Sequence, residues 1–159
     1  MLDIMADTSQ SKVQIFTSYA HEDEELKNEM DKYLKVLKRS GKIDTWNDRA
    51  LIAGQEWNES IMDELRKANV ILLLISVDFN ASDFIWDKEL AESMRRHEEG
   101  SAYVVPIILR NCKWTSLPYA KLQALPRNAR PILDYPDRDA AFTEVADGIE
   151  RLVDHILAK

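Results

Sequence analysis

Glu89 combines side-chain type and position in the way a working group needs. It follows Ile85 by four residues and Trp86 by three, on a helix predicted after Val70–Val77 (VILLLISV). That segment is the longest apolar run in the 159-residue chain, and it reads as a strand buried on both faces. Between strand and helix, Asn80, Ser82 and Asp83 supply turn and N-cap chemistry. Trp86 and Leu90 give the helix its apolar face. The carboxylate therefore lies beside aromatic and aliphatic surface near the strand's carboxyl end, the edge at which open parallel sheets bind ligands. Helix glutamates are commonly just solvated, so position rather than type makes this one a candidate. Metal chemistry is not expected: His21, His97 and His155 are far apart in sequence and none pairs with another at ligand spacing.

Composition narrows the partners. Acidic residues outnumber basic ones 28 to 21, and the basic residues are scattered, which argues against nucleic acid or an anionic membrane. The single cysteine, Cys112, excludes an internal disulfide and suits a reducing compartment. The amino terminus carries no basic stretch followed by an apolar one, and an eight-residue apolar run is too short to span a bilayer. A soluble, cytoplasmic protein is expected.

The elements that must position Glu89 alternate. Residues 1–12 are polar and aperiodic, a flexible tail; residues 13–159 form one domain. Val13–Thr17 is a first strand. Glu22–Arg39 is a helix with Leu26, Met30, Tyr33, Leu34 and Leu37 on one face, its first turn crowded with acids as the dipole favours, and Gly41 stops it. Ile43–Trp46 is a second strand, and Glu56–Ala68 a helix with Trp57, Ile61 and Leu65 in register. The helix bearing Glu89 ends at Gly100. Tyr103–Leu109 is a fourth strand, whose Pro106 removes a ladder donor and places it near an edge or bulge. After a long connection, Pro131–Leu133 is a short fifth strand. Phe142, Val145, Ala146, Ile149, Leu152, Val153 and Ile156 define a closing helix. Such alternation predicts an α/β fold, a doubly wound parallel sheet of five strands with helices on both faces. The flavodoxin-like order 2-1-3-4-5 is the simplest arrangement.

Several of these pieces resemble the Toll/interleukin-1 receptor (TIR) domain family, in the form of its bacterial NAD-cleaving effectors. Phe16-Thr17-Ser18-Tyr19 followed by Ala20-His21-Glu22-Asp23 is similar to the family's first box. Trp46-Asn47-Asp48-Arg49 through Gly54 resembles its second box and the loop after the second strand. Ser82 to Leu90 (SDFIWDKEL) resembles the helix bearing the glutamate of NAD-cleaving members. Val105-Pro106-Ile107-Ile108 followed by Trp114 resembles the fourth strand and the tryptophan after it. The resemblance runs from Val13 to Leu157. Three departures stand out: Trp86 is three residues before Glu89, where many NAD-cleaving members carry the aromatic four before; Ala20 replaces an arginine found in some animal members; and the stretch between Glu89 and Pro106 is longer.

The resemblance implies that Glu89 is catalytic in cleaving NAD+, which is substrate rather than cofactor. Nicotinamide leaves as a neutral group, the ribose acquires oxocarbenium character, and one carboxylate can hold the ribose hydroxyls and stabilise the developing charge. Linear and cyclic ADP-ribose share this first step. Ser18 and Tyr19 either contact ribose or phosphate or simply cap and pack. Asp48 and Arg49 bind substrate, pair with each other or meet a neighbouring subunit. Trp86 is a substrate-binding candidate. Trp114 covers the nicotinamide, stacks at a subunit interface or belongs to the core. Ala50, Leu51, Ile52 and Ala53 form an apolar tip beside Gly54, a partner surface, and the resemblance implies head-to-tail assembly into an oligomer or filament. It also implies a role in antiphage defence or innate immune signalling, with a sensor domain or partner protein binding the activating ligand.

Other readings remain open on the residues. A catalytically silent TIR scaffold would use the same surfaces to relay a signal by self-association. A phospho-receiver would need acidic residues after the first strand and at the end of the third, where the chain reads Ile75-Ser76-Val77, and a lysine closing the fourth. A nucleoside deoxyribosyltransferase also uses a glutamate on a related fold.

Overall fold

The computed structural model describes residues 12–46 and 57–159. Most of the expected tail lies outside the described residues, as do Asp48, Arg49, Leu51, Ile52 and Gly54. Four strands form one sheet, β1 (Val13–Ser18), β2 (Ile43–Thr45), β3 (Val70–Ile75) and β4 (Tyr103–Ile108), in the order β2-β1-β3-β4. All three pairings are parallel, with Phe16 opposite Ile71 and Ile71 opposite Val104.

The helices are α1 (Glu24–Arg39), α2 (Trp57–Lys67), α3 (Val77–Ala81), α4 (Ala91–Glu98) and α5 (Arg138–Leu157). Every residue of β3 is buried, and its period of two divides the core. Val70, Leu72 and Leu74 join Met30 and Leu34 of α1 and Val145 and Ile149 of α5 in one cluster. Ile71, Leu73 and Ile75 join Leu65 of α2 and Phe79 of α3 in the other. A strand sandwiched in this way needs a continuous apolar run, which is what the sequence supplies. Gly41 and Gly100, with φ of +79° and +76°, end α1 and α4 in the left-handed conformation that glycine adopts without steric cost.

The expected fifth strand does not form, and among the described residues the sheet has four strands. Pro131–Leu133 is instead part of a connection containing a 3-10 turn at Ile132–Asp134, with Ile132 wholly buried. The outer edge of β4 is met by Leu125, which accepts from the Ile108 amide and donates to the Pro106 carbonyl, both at 2.9 Å. Pro126, the next residue, has no amide proton with which to extend the ladder. Pro106 therefore sits on an edge strand, as its missing donor requires. The third strand also ends sooner than expected, at Ile75, because Ser76 is the N-cap of α3, accepting from the Phe79 amide at 3.1 Å.

Gly148 lets α5 approach this edge closely: a Cβ there would lie 2.6 Å from a Leu125 methyl. Gly148→Ala is expected to be near neutral, because helix propensity gained offsets a shift of the flexible leucine. Gly148→Val should cost about 1–3 kcal/mol by overpacking, read from denaturant midpoints. Equal stability of all three proteins would contradict the close approach.

Candidate functional site

Ser82 begins the segment that carries Glu89, its hydroxyl accepting from the Ile85 amide at 3.3 Å. The helix that follows is not uniform. Ile85–Leu90 forms a π-helical turn before regular α4, and the Ser93 hydroxyl donates to the Glu89 carbonyl at 2.6 Å. In a π turn the i to i+5 bonding widens the spiral, so residues four and five positions before Glu89 come beside it. Those are Ile85 and Phe84, and both line the same cleft as Glu89.

That cleft has a volume of about 410 Å³, within the range of small-molecule sites. It opens at the carboxyl end of β1. Phe16, Trp46, Ile61, Phe84 and Ile85 give it apolar surface, and Tyr19, His21, Glu22, Glu24, Lys27, Asp78 and Glu89 supply polar groups. Trp46 stacks on Phe16 with ring centroids 5.9 Å apart and planes 10° from parallel, so the wall is a layered aromatic surface. Lys27 is only 5 % exposed; it pairs with Asp31 at 2.8 Å and its ammonium lies 5.5 Å from the Tyr19 ring centre.

Glu89 is 7 % exposed. Desolvation pushes its carboxyl from the usual 4.5 up to about 7, while the Ser18 hydroxyl pulls the other way. Ser18 is fully buried at the end of β1, and its Oγ, which makes no hydrogen bond, favours the ionised form of the nearby Glu89 carboxyl. A carboxyl half-ionised near neutrality, enclosed by apolar surface and open to a cleft, can take up or release charge as a ligand demands. Among the described residues no three His, Cys, Asp or Glu side chains are grouped to hold a metal ion.

Of the residues singled out in the sequence, the structure brings Ser18, Tyr19 and Glu89 together. It does not bring Trp86 and Trp114 to them. Trp86 packs against the core cluster that includes Leu90 and Phe79, while Phe84 and Ile85 line the cleft. Trp114 stacks on the buried Tyr119, with centroids 6.5 Å apart, and neither tryptophan lines the cleft.

Sequence reasoning missed Lys27, although its spacing to Met30, Leu34 and Leu37 placed it on the buried stripe of α1. It also missed a polar network behind the cleft. The Arg110 guanidinium, just beyond β4, donates from Nη2 to Asp23 at 2.8 Å and to Asp78 at 2.7 Å. The Ser76 hydroxyl donates to the other oxygen of Asp23, which is 2 % exposed. In the sequence Asp23 reads as one of the acids crowding the helix's first turn.

The fold and the site define an α/β domain of the TIR type. The TIR domain family profile matches residues 15–150, and the chain belongs to that family. It is 46% identical over 135 residues to the uncharacterized protein y4lF of Sinorhizobium fredii (strain NBRC 101917 / NGR234), covering 85% of this chain. The match spans 42% of that relative's length. Two solved structures share the fold. The TIR domain of the Toll-related receptor TRR-2 from Hydra magnipapillata superposes with a TM-score of 0.58 at 23% identity, over 88% of this chain and 97% of that one. The RPS4 and RRS1 TIR domain heterodimer gives 0.54 at 13%, over 88% and 96%. No helix among the described residues is long and apolar enough to cross a membrane.

Proposed function

We propose that this TIR domain is an NAD+ nucleosidase that is switched on by self-assembly. The observation that carries the reading is the buried carboxyl of Glu89, poised near neutrality at the carboxyl edge of the sheet and open to a cleft with aromatic walls. In the reaction, the bond between the ribose C1′ and the nicotinamide nitrogen breaks, its electron pair leaving with neutral nicotinamide. The carboxylate stabilises the cationic sugar. Water then adds at C1′ and loses a proton to give ADP-ribose, or an internal nucleophile adds to give a cyclic isomer. The flat nicotinamide and adenine rings find matching surface on Trp46 and Phe84, and the Ser18 hydroxyl favours the ionised carboxylate.

Only ionised Glu89 can stabilise a cation, so activity should follow its titration. The carboxyl of the free protein titrates at about 7, and kcat/KM for NAD+ is expected to fall about tenfold per pH unit below that point. The positive nicotinamide ribosyl group favours the carboxylate once bound, so the corresponding limb of kcat should lie at lower pH. A flat kcat/KM profile from pH 5 to 8 in a folded protein would separate turnover from this carboxyl.

TIR domains associate with other TIR domains, as in the RPS4 and RRS1 heterodimer. That association favours a second reading, a scaffold that assembles and signals without turning over NAD+. Under the enzymatic reading, assembly completes the site, and the signal comes from a sensor domain or partner protein that binds an activating ligand. Depletion of NAD+, or its product, then serves antiphage defence or innate immune signalling. Release of nicotinamide by assembled protein, absent in a Glu89→Gln variant, distinguishes enzyme from scaffold.

A further inference from the structure

We infer that Arg110 is a positioning residue for the site: it braces from behind the two chain segments that bring Ser18 and Glu89 together. The first segment is the turn that leaves β1, in which Ser18 and Asp23 are five residues apart. The second leaves β3 and carries Ser76, Asp78 and then Glu89. Arg110 holds both through one nitrogen, at 2.8 Å from Asp23 and 2.7 Å from Asp78. Ser76 ties the same two segments a second time through its hydroxyl on Asp23 while capping α3. Asp23 is 2 % exposed and Ser76 is fully buried.

The brace lies outside the reacting cleft except at Asp78, which lines it. On the cleft side the buried Ser18 hydroxyl favours the ionised form of the Glu89 carboxyl, an influence that depends on how the two segments are placed. A charge-assisted pair with one fully buried partner resists their displacement. Arg110 thus reaches the site through Asp23 and Asp78 and touches no reacting atom. The inference deepens the nucleosidase reading, yet its test needs no turnover.

Ser18 lowers the carboxyl's affinity for protons, so the Glu89 titration reports that placement. Among the described residues, the ionisable groups sharing the cleft with Glu89 are Tyr19, His21, Glu22, Glu24, Lys27 and Asp78, and none is altered by the substitutions used. The Glu89 side-chain carbon is followed by NMR against pH, assigned by its loss in Glu89→Gln. Removing the brace in Arg110→Gln should raise the midpoint measurably, and Arg110→Lys should restore most of it. Ser18→Ala should raise it similarly, and Arg110→Gln should raise it clearly less in the Ser18→Ala background than in the wild type.

Loss of a cation would also raise the midpoint electrostatically. Asp23→Asn/Arg110→Gln leaves the net charge unchanged and no buried charge unpartnered, and it serves equally if Arg110→Gln fails to fold. That double variant should keep the upward shift. A midpoint unchanged in the folded double variant, or a shift from Arg110→Gln that persists undiminished without the Ser18 hydroxyl, would overturn the inference. Absence of NAD+ turnover in the wild-type protein would contradict the nucleosidase reading and leave this titration result standing.

Discussion

Glu89→Gln is expected to lower NAD+ turnover by about two orders of magnitude or more, the scale on which an important electrostatic group is lost. The amide keeps the shape of the side chain and removes the charge that meets the cationic ribose. The same substitution should raise stability at alkaline pH. The carboxyl is held at about 7 in the folded protein against 4.5 ordinarily, so the folded state favours the protonated form. Below pH 4.5 the carboxyl is protonated folded or unfolded and costs nothing. As pH rises through 7 the folded protein must hold a desolvated carboxylate, a penalty of roughly 3 kcal/mol at most. Glu89→Gln escapes it, so the variant should melt higher than wild type at pH 8 and at the same temperature near pH 4. A protein that gains stability while losing activity carries a group kept for its chemistry. Near-normal turnover in the folded variant would remove Glu89 from the mechanism.

The second large effect concerns assembly. If a neighbouring subunit completes the site, specific activity per subunit rises with protein concentration, and fusion to a multimerising partner raises it further by increasing effective concentration. The apolar tip Ala50–Ala53 is the sequence feature suited to such a contact. Leu51→Glu should abolish the concentration dependence, leaving the dilute-protein rate throughout, with the monomer still folded. Light scattering run beside the turnover assay provides the check. Full activity in a Leu51→Glu protein that stays monomeric at every concentration would take assembly out of the mechanism.

The sequence conveyed the frame better than the details of the site. The run Val70–Val77 read as a strand covered on both sides, which the structure bears out over Val70–Ile75, and the stripes on α1 and α5 named their buried faces correctly. Ser18, Tyr19 and Glu89 were legible because strand ends and the helix after a central strand converge at one edge of a parallel sheet. Pro131–Leu133 misled because a short apolar stretch between prolines suits a buried 3-10 turn as well as a strand. Helical spacing sets Ile85 and Trp86 beside Glu89; the structure keeps Ile85 in the cleft, adds Phe84 and leaves Trp86 out of its lining. The π turn at Ile85–Leu90 departs from that spacing, and nothing in FIWDKEL advertises it. The Asp23–Arg110 pair joins residues 87 apart, and long-range ion pairs leave no periodic trace in a single sequence.

The most direct measurement is incubation of concentrated protein with NAD+, with nicotinamide, ADP-ribose and cyclic ADP-ribose resolved chromatographically and assembly verified in the same sample. The expected result is equimolar release of nicotinamide and an ADP-ribose species by the wild-type protein, reduced at least about a hundredfold in Glu89→Gln. Verified assemblies of wild-type protein that release no nicotinamide would contradict the enzymatic reading and leave the scaffold in its place.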